Sequence, residues 1–212
     1  MGWFRKPDPH EITIGGRRCL VYPAPYSSAG LLVAFHGLTH TPEILRDSSQ
    51  LHEIGKKLNL TVVYPAGKFR YWKYWGTSTN NRDAQLFKLL VRNYAKDGRV
   101  FAAGFSAGAV FSHYLGVTYG DLLGGLILYA GGYSSAVPSS ASTYPVLALK
   151  NSDDPFILSV TPQAAKNRKL TELVELYRQA GHPVDYHTLS EGGHHWLREA
   201  DPLVYDFLAH NR

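Results

Sequence analysis

Four short stretches of this chain carry residue types that can do acyl-transfer chemistry, and each follows a segment that reads as a strand. The strongest is Gly104-Phe105-Ser106-Ala107-Gly108, a G-x-S-x-G spacing set between the run 99–103 and a helical pattern that continues to about Thr118. A sharp strand-to-helix turn leaves no room for side chains at Gly104 and Gly108, so Ser106 projects alone. The helix starting there offers backbone N–H groups to developing negative charge. A serine hydroxyl is inert without a base. Glu191-Gly192-Gly193-His194-His195-Trp196 follows the last expected strand, 184–189. Its glycines let the backbone bend toward the nucleophile, and His194, directly after them, is favoured over His195. A carboxylate must then hold the imidazole in one tautomer. Lys150-Asn151-Ser152-Asp153-Asp154-Pro155, after the run 144–149, supplies two candidates, Asp153 and Asp154. Finally, His36-Gly37-Leu38 follows the run 31–35. A turn there presents the Leu38 N–H beside that of Ala107, as two donors to an oxyanion. His36 itself reads as a brace for that loop.

These stretches need a scaffold that brings four loops to one place. The runs LLVAF (31–35), TVVY (61–64), RVFAA (99–103), GLILYA (125–130) and YPVLAL (144–149) are short and continuously apolar, the mark of strands buried on both faces. They alternate with helical patterns at 42–58, 83–94, 106–118, 162–180 and 202–210. Segments 11–14 and 18–22 read as an antiparallel hairpin joined at Gly15-Gly16. The expectation is an α/β fold: a mostly parallel sheet with helices on both faces and a hairpin on its edge. In such sheets ligands bind beyond the carboxyl ends of the strands, where all four stretches fall.

Composition narrows the class. With 212 residues, 44% hydrophobic and 18% charged, the chain reads as a single globular domain over 1–212. One cysteine, Cys19, allows neither an intrachain disulfide nor a cysteine-based zinc site. The net charge of +5 is spread out, with Arg17-Arg18 and Lys56-Lys57 the tightest groups. That pattern argues against a nucleic-acid partner. No run is long and apolar enough to span a membrane. The first ten residues have no apolar core of the signal-peptide kind, so the expected location is cytoplasmic.

Taken together, the stretches VAFHGLTHT (33–41), VVYPA (62–66), DGRVFAAGFSAGA (97–109) and GGHHW (192–196) resemble the α/β-hydrolase superfamily. Within it they are similar to the polyhydroxybutyrate depolymerase and feruloyl or acetylxylan esterase-like group. The chain order Ser, Asp, His fits that superfamily. The group's G-G-H-x-W pattern maps its catalytic histidine onto His194. Its D-P-x-V pattern maps the acid onto Asp154, with Ile157 in the Val place. The resemblance implies a serine ester hydrolase with the set Ser106, His194 and Asp154, an oxyanion hole from Leu38 and Ala107, and neither metal nor cofactor.

Five aromatic residues crowd the seven positions 69–75, beyond the run 61–64. Tyr71, Trp72 and Trp75, with Trp196 opposite, read as the aromatic wall of a substrate site. The segment 131–143, rich in Ser, Gly and Ala, lacks an apolar helical stripe. No lid domain is therefore expected, and an open cleft should take small or polymeric esters: short acyl chains, aromatic acyl groups or polyester segments. The rival readings are a thioesterase, peptidase or acyltransferase using the same triad, and a non-catalytic binding protein on the same fold.

Overall fold

The computed structural model describes residues 9–77, 79–96, 98–132, 138–139, 141–155 and 170–212. Two edge strands, β1 (His10–Ile14) and β2 (Arg17–Tyr22), pair antiparallel through a turn in which Gly15 and Gly16 both have positive φ. That geometry suits the right-handed twist of the flanking strands and admits glycine at little cost. β3 (Gly30–Phe35), β4 (Leu60–Pro65), β5 (Arg99–Phe105), β6 (Gly125–Tyr129), β7 (Val146–Asn151) and β8 (Val184–Leu189) run parallel to one another, and β2 meets β4 antiparallel. The sheet order is β1-β2-β4-β3-β5-β6-β7-β8. The chain therefore steps outward from β3 to β4, then returns past β3 to β5. This reversal makes the carboxyl ends of β3 and β5 the topological switch point, where open α/β sheets bind ligands.

Alternation along the central strands feeds two separate cores. Leu31, Val33 and Phe35 of β3 join Val100 and Ala102 of β5 on one face. Leu32 and Ala34 join Phe101, Ala103 and Phe105 on the other. The first face is covered by α3 (Arg82–Tyr94), α4 (Ala107–Tyr119) and α5 (Leu170–Gln179), the second by α1 (Pro42–Ser49), α2 (Leu51–Lys57) and α6 (Ala200–Asn211). α4 is apolar nearly all round and buries ten of its residues, as a helix sunk into the centre of a domain must. β8, at the sheet's edge, is only partly buried and carries polar residues. Among the described residues no helix is long and apolar enough to cross a membrane.

The structure departs from the sequence pattern in two places. The helix expected over 42–58 is broken at Gln50, which adopts a left-handed conformation and caps α1 by donating its N–H to the Arg46 carbonyl. Ser48 and Ser49 return their hydroxyls to the carbonyls of Ile44 and Leu45, local bonds that compete with the helical ladder. The break lets Leu51, Ile54 and Leu58 stay on the sheet. β7 begins at Val146, leaving Pro145 just outside, where its carbonyl still accepts from the Leu126 N–H. Residues 133–137 and 140 of the segment expected to form no lid, the stretch 162–169 of the long helical pattern, and Asp97 and Ile157 lie outside the described residues.

Glycine is decisive where α4 meets the sheet. A Cβ on Gly108 would stand 2.0 Å from the Phe35 carbonyl oxygen, and one on Gly104 would stand 2.1 Å from the Gly108 oxygen. Both obstacles are backbone and cannot step aside. Gly108→Ala is therefore expected to cost about 3 kcal/mol or more in urea unfolding. Gly16→Ala, whose Cβ meets nothing within 4 Å, should cost only about 1 kcal/mol, through its positive φ alone. Equal costs would show that α4 can move off the sheet.

Candidate active site

Ser106 sits between β5 and α4 with φ 56° and ψ −118°, a conformation that is unfavourable for a non-glycine residue. It is held from both sides. Its N–H donates to the Tyr129 carbonyl at 2.9 Å, and its carbonyl accepts from Ala109 at 2.9 Å and Val110 at 3.1 Å. Gly131 approaches so closely that a Cβ there would be 2.5 Å from the Ser106 oxygen. Ala107 opens α4, so its N–H has no acceptor within the helix.

The loop after β3 lies against this turn: a Cβ on Gly37 would be 3.4 Å from the Ser106 Cβ. Within it the Thr39 N–H donates to the Arg70 carbonyl and the His40 N–H to the Gly37 carbonyl. The Leu38 N–H takes no partner among the described residues. His36 is buried and braces the loop from below. Its Nε2 accepts from the Gly67 N–H at 2.9 Å, which leaves Nδ1 to carry the proton and donate to the Gly37 carbonyl at 2.8 Å. Burial pushes its pKa down to about 4. His36 is thus a neutral structural imidazole. The Trp72 indole donates to the His36 carbonyl at 2.9 Å and stacks on Phe111.

The two carboxylates of the loop after β7 have separate tasks. Asp154 is buried and one carboxylate oxygen lies 2.8 Å from Nδ1 of His194. Asp153 is exposed and accepts the N–H groups of Gly192 and Gly193, each at 2.8 Å, which holds its carboxyl below the usual range. Both therefore tie the β7 loop to the β8 loop. Asn151, at the end of β7, completes the tie. Its amide donates to the carbonyls of Gly193 and His195, both at 2.8 Å, and its oxygen accepts from the Tyr129 hydroxyl at 2.6 Å. That hydroxyl in turn accepts from the Leu197 N–H. Gly193 has φ +58°, the bend that presents His194. The His194 ring packs on Phe105, beside Ser106, at a centroid distance of 4.9 Å, whereas His195 is exposed.

Two of the expected substrate-wall residues lie elsewhere. Trp72 is 0% exposed and belongs to the core on the α3–α4 face. Trp196 is buried and stacks on Tyr129 at 4.6 Å. Neither can line a cleft, because the loops use both rings as anchors. Tyr71 and Trp75 remain at the surface, with Tyr74 against both. Asn151 and Tyr129 were not singled out in the sequence, and Asp153, an acid candidate there, instead holds the Gly192–Gly193 backbone. The one signal for Asn151 was its place at the end of an apolar strand run. His40 was also missed. It lies in the loop after β3 and stacks on the Phe105 ring, and burial together with the nearby His194 and His195 lowers its pKa.

Comparison with known proteins gives the fold. The chain is 26% identical over 117 residues to a probable acetylxylan esterase A of Aspergillus clavatus, a match covering 50% of this chain and 38% of that protein. A second such protein, from Aspergillus flavus, matches at 27% over 116 residues. The chain thus aligns with well under half the length of the curated relatives it matches. No family model matches it. Among solved structures, a Bacillus cereus carboxylesterase superposes with a TM-score of 0.67 at 17% identity, covering 92% of this chain and 95% of that one. An acetyl xylan esterase from Aspergillus awamori superposes with a TM-score of 0.65 at 13% identity, covering 93% and 98%. The fold is that of the α/β-hydrolases.

The His36 geometry sets a pH dependence. Its folded pKa lies below the ordinary 6.5, so its contribution to stability is full above pH 6.5 and is lost as pH falls toward 4. The total is about 3 kcal/mol. Urea unfolding between pH 7 and 4 should show this loss, and His36→Asn should flatten the dependence over that interval. An unchanged slope would mean that the ring is hydrated in the folded state.

Proposed function

We propose that the protein is a serine carboxylic ester hydrolase working through an acyl-enzyme. The observation that carries this reading is the strained Ser106 at the switch point, with the His194–Asp154 pair delivered by the ends of β8 and β7. The likeness to esterases in sequence and fold supports it. In this reading His194 Nε2 takes the Ser106 proton as the hydroxyl oxygen attacks the ester carbonyl. Asp154 keeps the proton of His194 on Nδ1 and stabilises the imidazolium. The N–H groups of Leu38 and Ala107 receive the oxyanion. His194 then protonates the leaving alcohol, and a water activated by the same imidazole releases the acid and restores Ser106. Tyr71 and Trp75 flank the acyl or alcohol group, which suits acetyl, other short-chain or aromatic esters, including those on a polymer. A thioesterase, peptidase or acyltransferase would share every step but the leaving group or acceptor. Turnover of an ester, a thioester and an amide with one acyl group separates these.

A fluorophosphonate probe should give a single adduct on Ser106, and none after Ser106→Ala. Loss of nitrophenyl acetate turnover in Ser106→Ala and His194→Ala should reach roughly 10⁴–10⁶ in kcat. Absence of labelling in the folded wild type would remove the hydrolase reading and leave a binding protein. Asp154→Asn should keep the fold and cost about 10⁴ at neutral pH by presenting the wrong tautomer, while Asp153→Asn, which only loosens the 192–193 backbone, should cost far less. The reverse order would transfer the acid's role to Asp153.

A further inference from the structure

The loop after β4 carries a feature that ester hydrolysis does not use. Lys68 and Tyr71 form an antiparallel bridge, and the two residues between them, Phe69 and Arg70, have φ of 54° and 59°. This is a tight turn of the kind normally built from Asn-Gly. Here it holds two large side chains in the left-handed region, which is unfavourable for both. The result is a phenyl ring 90% exposed at the tip of a turn.

The turn is nonetheless rigidly mounted on the site. The Arg70 carbonyl accepts the Thr39 N–H at 3.1 Å, one residue beyond Leu38, and Thr39 is itself at positive φ. Behind the turn, Asn81 donates to the carbonyls of Lys73 and Trp75, Asp83 accepts the Lys73 N–H, and the Tyr114 hydroxyl donates to the Gly76 carbonyl. A strained, exposed aromatic on a fixed mount points to a ligand rather than to folding.

Charge identifies the kind of ligand. Residues 66–77 contain Lys68, Arg70 and Lys73 and no carboxylate. The carboxylates in the first turns of α1 and α3, Glu43 and Asp83, are committed to Arg18 and Arg17. Among the described residues the three cations have no carboxylate partner, and Lys68 Nζ lies 5.3 Å from the Phe69 ring centre. Arg70 and Lys73 donate only to the carbonyls of Thr39 and Asn80, and an exposed ring among cations that no described carboxylate neutralises fits a hydrated anionic chain with flat apolar faces. A pyranose ring bearing a carboxylate has both features. An apolar polyester would leave the cations without an anion, and a nucleic acid offers no carboxylic ester in its chain.

We propose that the Lys68–Tyr71 turn docks an acidic polysaccharide, a uronate ring lying on Phe69 with its carboxylate on Arg70 and Lys68. The chain is thereby held so that an ester on it reaches Ser106. This rests on the esterase reading for its purpose, but the docking can be measured without turnover.

The test uses the full chain with Ser106→Ala and de-esterified polygalacturonate as probe, by calorimetry at low and physiological salt. Binding should weaken with salt, and neutral xylan should bind at least tenfold more weakly. Phe69→Gly with Arg70→Gly relieves the left-handed strain, so this variant should melt at or above the parent temperature yet lose at least tenfold in affinity. Lys56→Gln on α2 removes a remote charge and should retain binding. No binding to polygalacturonate, equal affinity for neutral xylan, unchanged affinity in the double glycine variant, or tighter binding of a single-stranded RNA would each overturn the proposal. Turnover of nitrophenyl acetate by the wild type is scored separately: its absence sinks the esterase reading, whereas its presence without polymer binding sinks only the docking turn.

Discussion

Gly108 rests against the carbonyls of Phe35 and His36, and that backbone contact between α4 and β3 governs the rest of the site. With a side chain at Gly108 or Gly104 the helix would stand off the sheet. The turn at Ser106 would then relax out of its unfavourable φ and ψ. Strain at Ser106 of about 1–3 kcal/mol persists only because its surroundings over-determine it. Here these are the hydrogen bond to Tyr129, the first turn of α4 and the close approach of Gly131. The same contact sets the Leu38 loop beside the helix start, so the two N–H groups proposed for the oxyanion are positioned before any substrate arrives.

A second layer of constraint runs beneath the proposed catalytic face. His36, Trp72 and Gly67 fasten the loop after β3 to the loop after β4. Asn151, Tyr129 and Asp153 fasten the loop after β7 to the loop after β8. Each buried polar group in these ties has partners, which is the condition under which a buried network stiffens a site instead of destabilising it. The chemistry proposed for His194 depends on this, since an imidazole on a loose Gly-Gly segment would sample many orientations. The neutral His36, one proton on Nδ1 and Nε2 accepting, shows the same economy: an imidazole used as a fixed donor and acceptor in the interior.

The aromatic loop illustrates how one stretch divides its side chains between structure and surface. Trp72 anchors inward, while Phe69 and Trp75 remain exposed at 90% and 49%. Composition treats the five rings alike, but only those facing outward are available to a ligand. The cations interleaved with them extend the proposed ester site into a rim.

Much of the architecture was legible in the sequence. Continuous runs of four to six mostly apolar residues imply strands covered on both faces, and their alternation with helical periods implies a parallel sheet. The spacing of Gly104, Ser106 and Gly108, and of Gly192, Gly193 and His194, marked two of the bends, because backbone conformation is a local property that glycine advertises. What the sequence could not contain is which side of a loop each side chain faces. Trp72 and Trp196 read as surface aromatics and are core anchors; Asp153 and Asp154 are adjacent and serve different partners; Gln50 breaks a helix whose apolar period runs straight through it. The tryptophans and the two aspartates were decided by partners far away in the chain, among them Phe111, Tyr129, Gly192 and His194, and the break at Gln50 by local side-chain bonds that an apolar period does not register. Local propensity sets the element, but only the assembled sheet brings those partners within reach and so assigns each side chain its role.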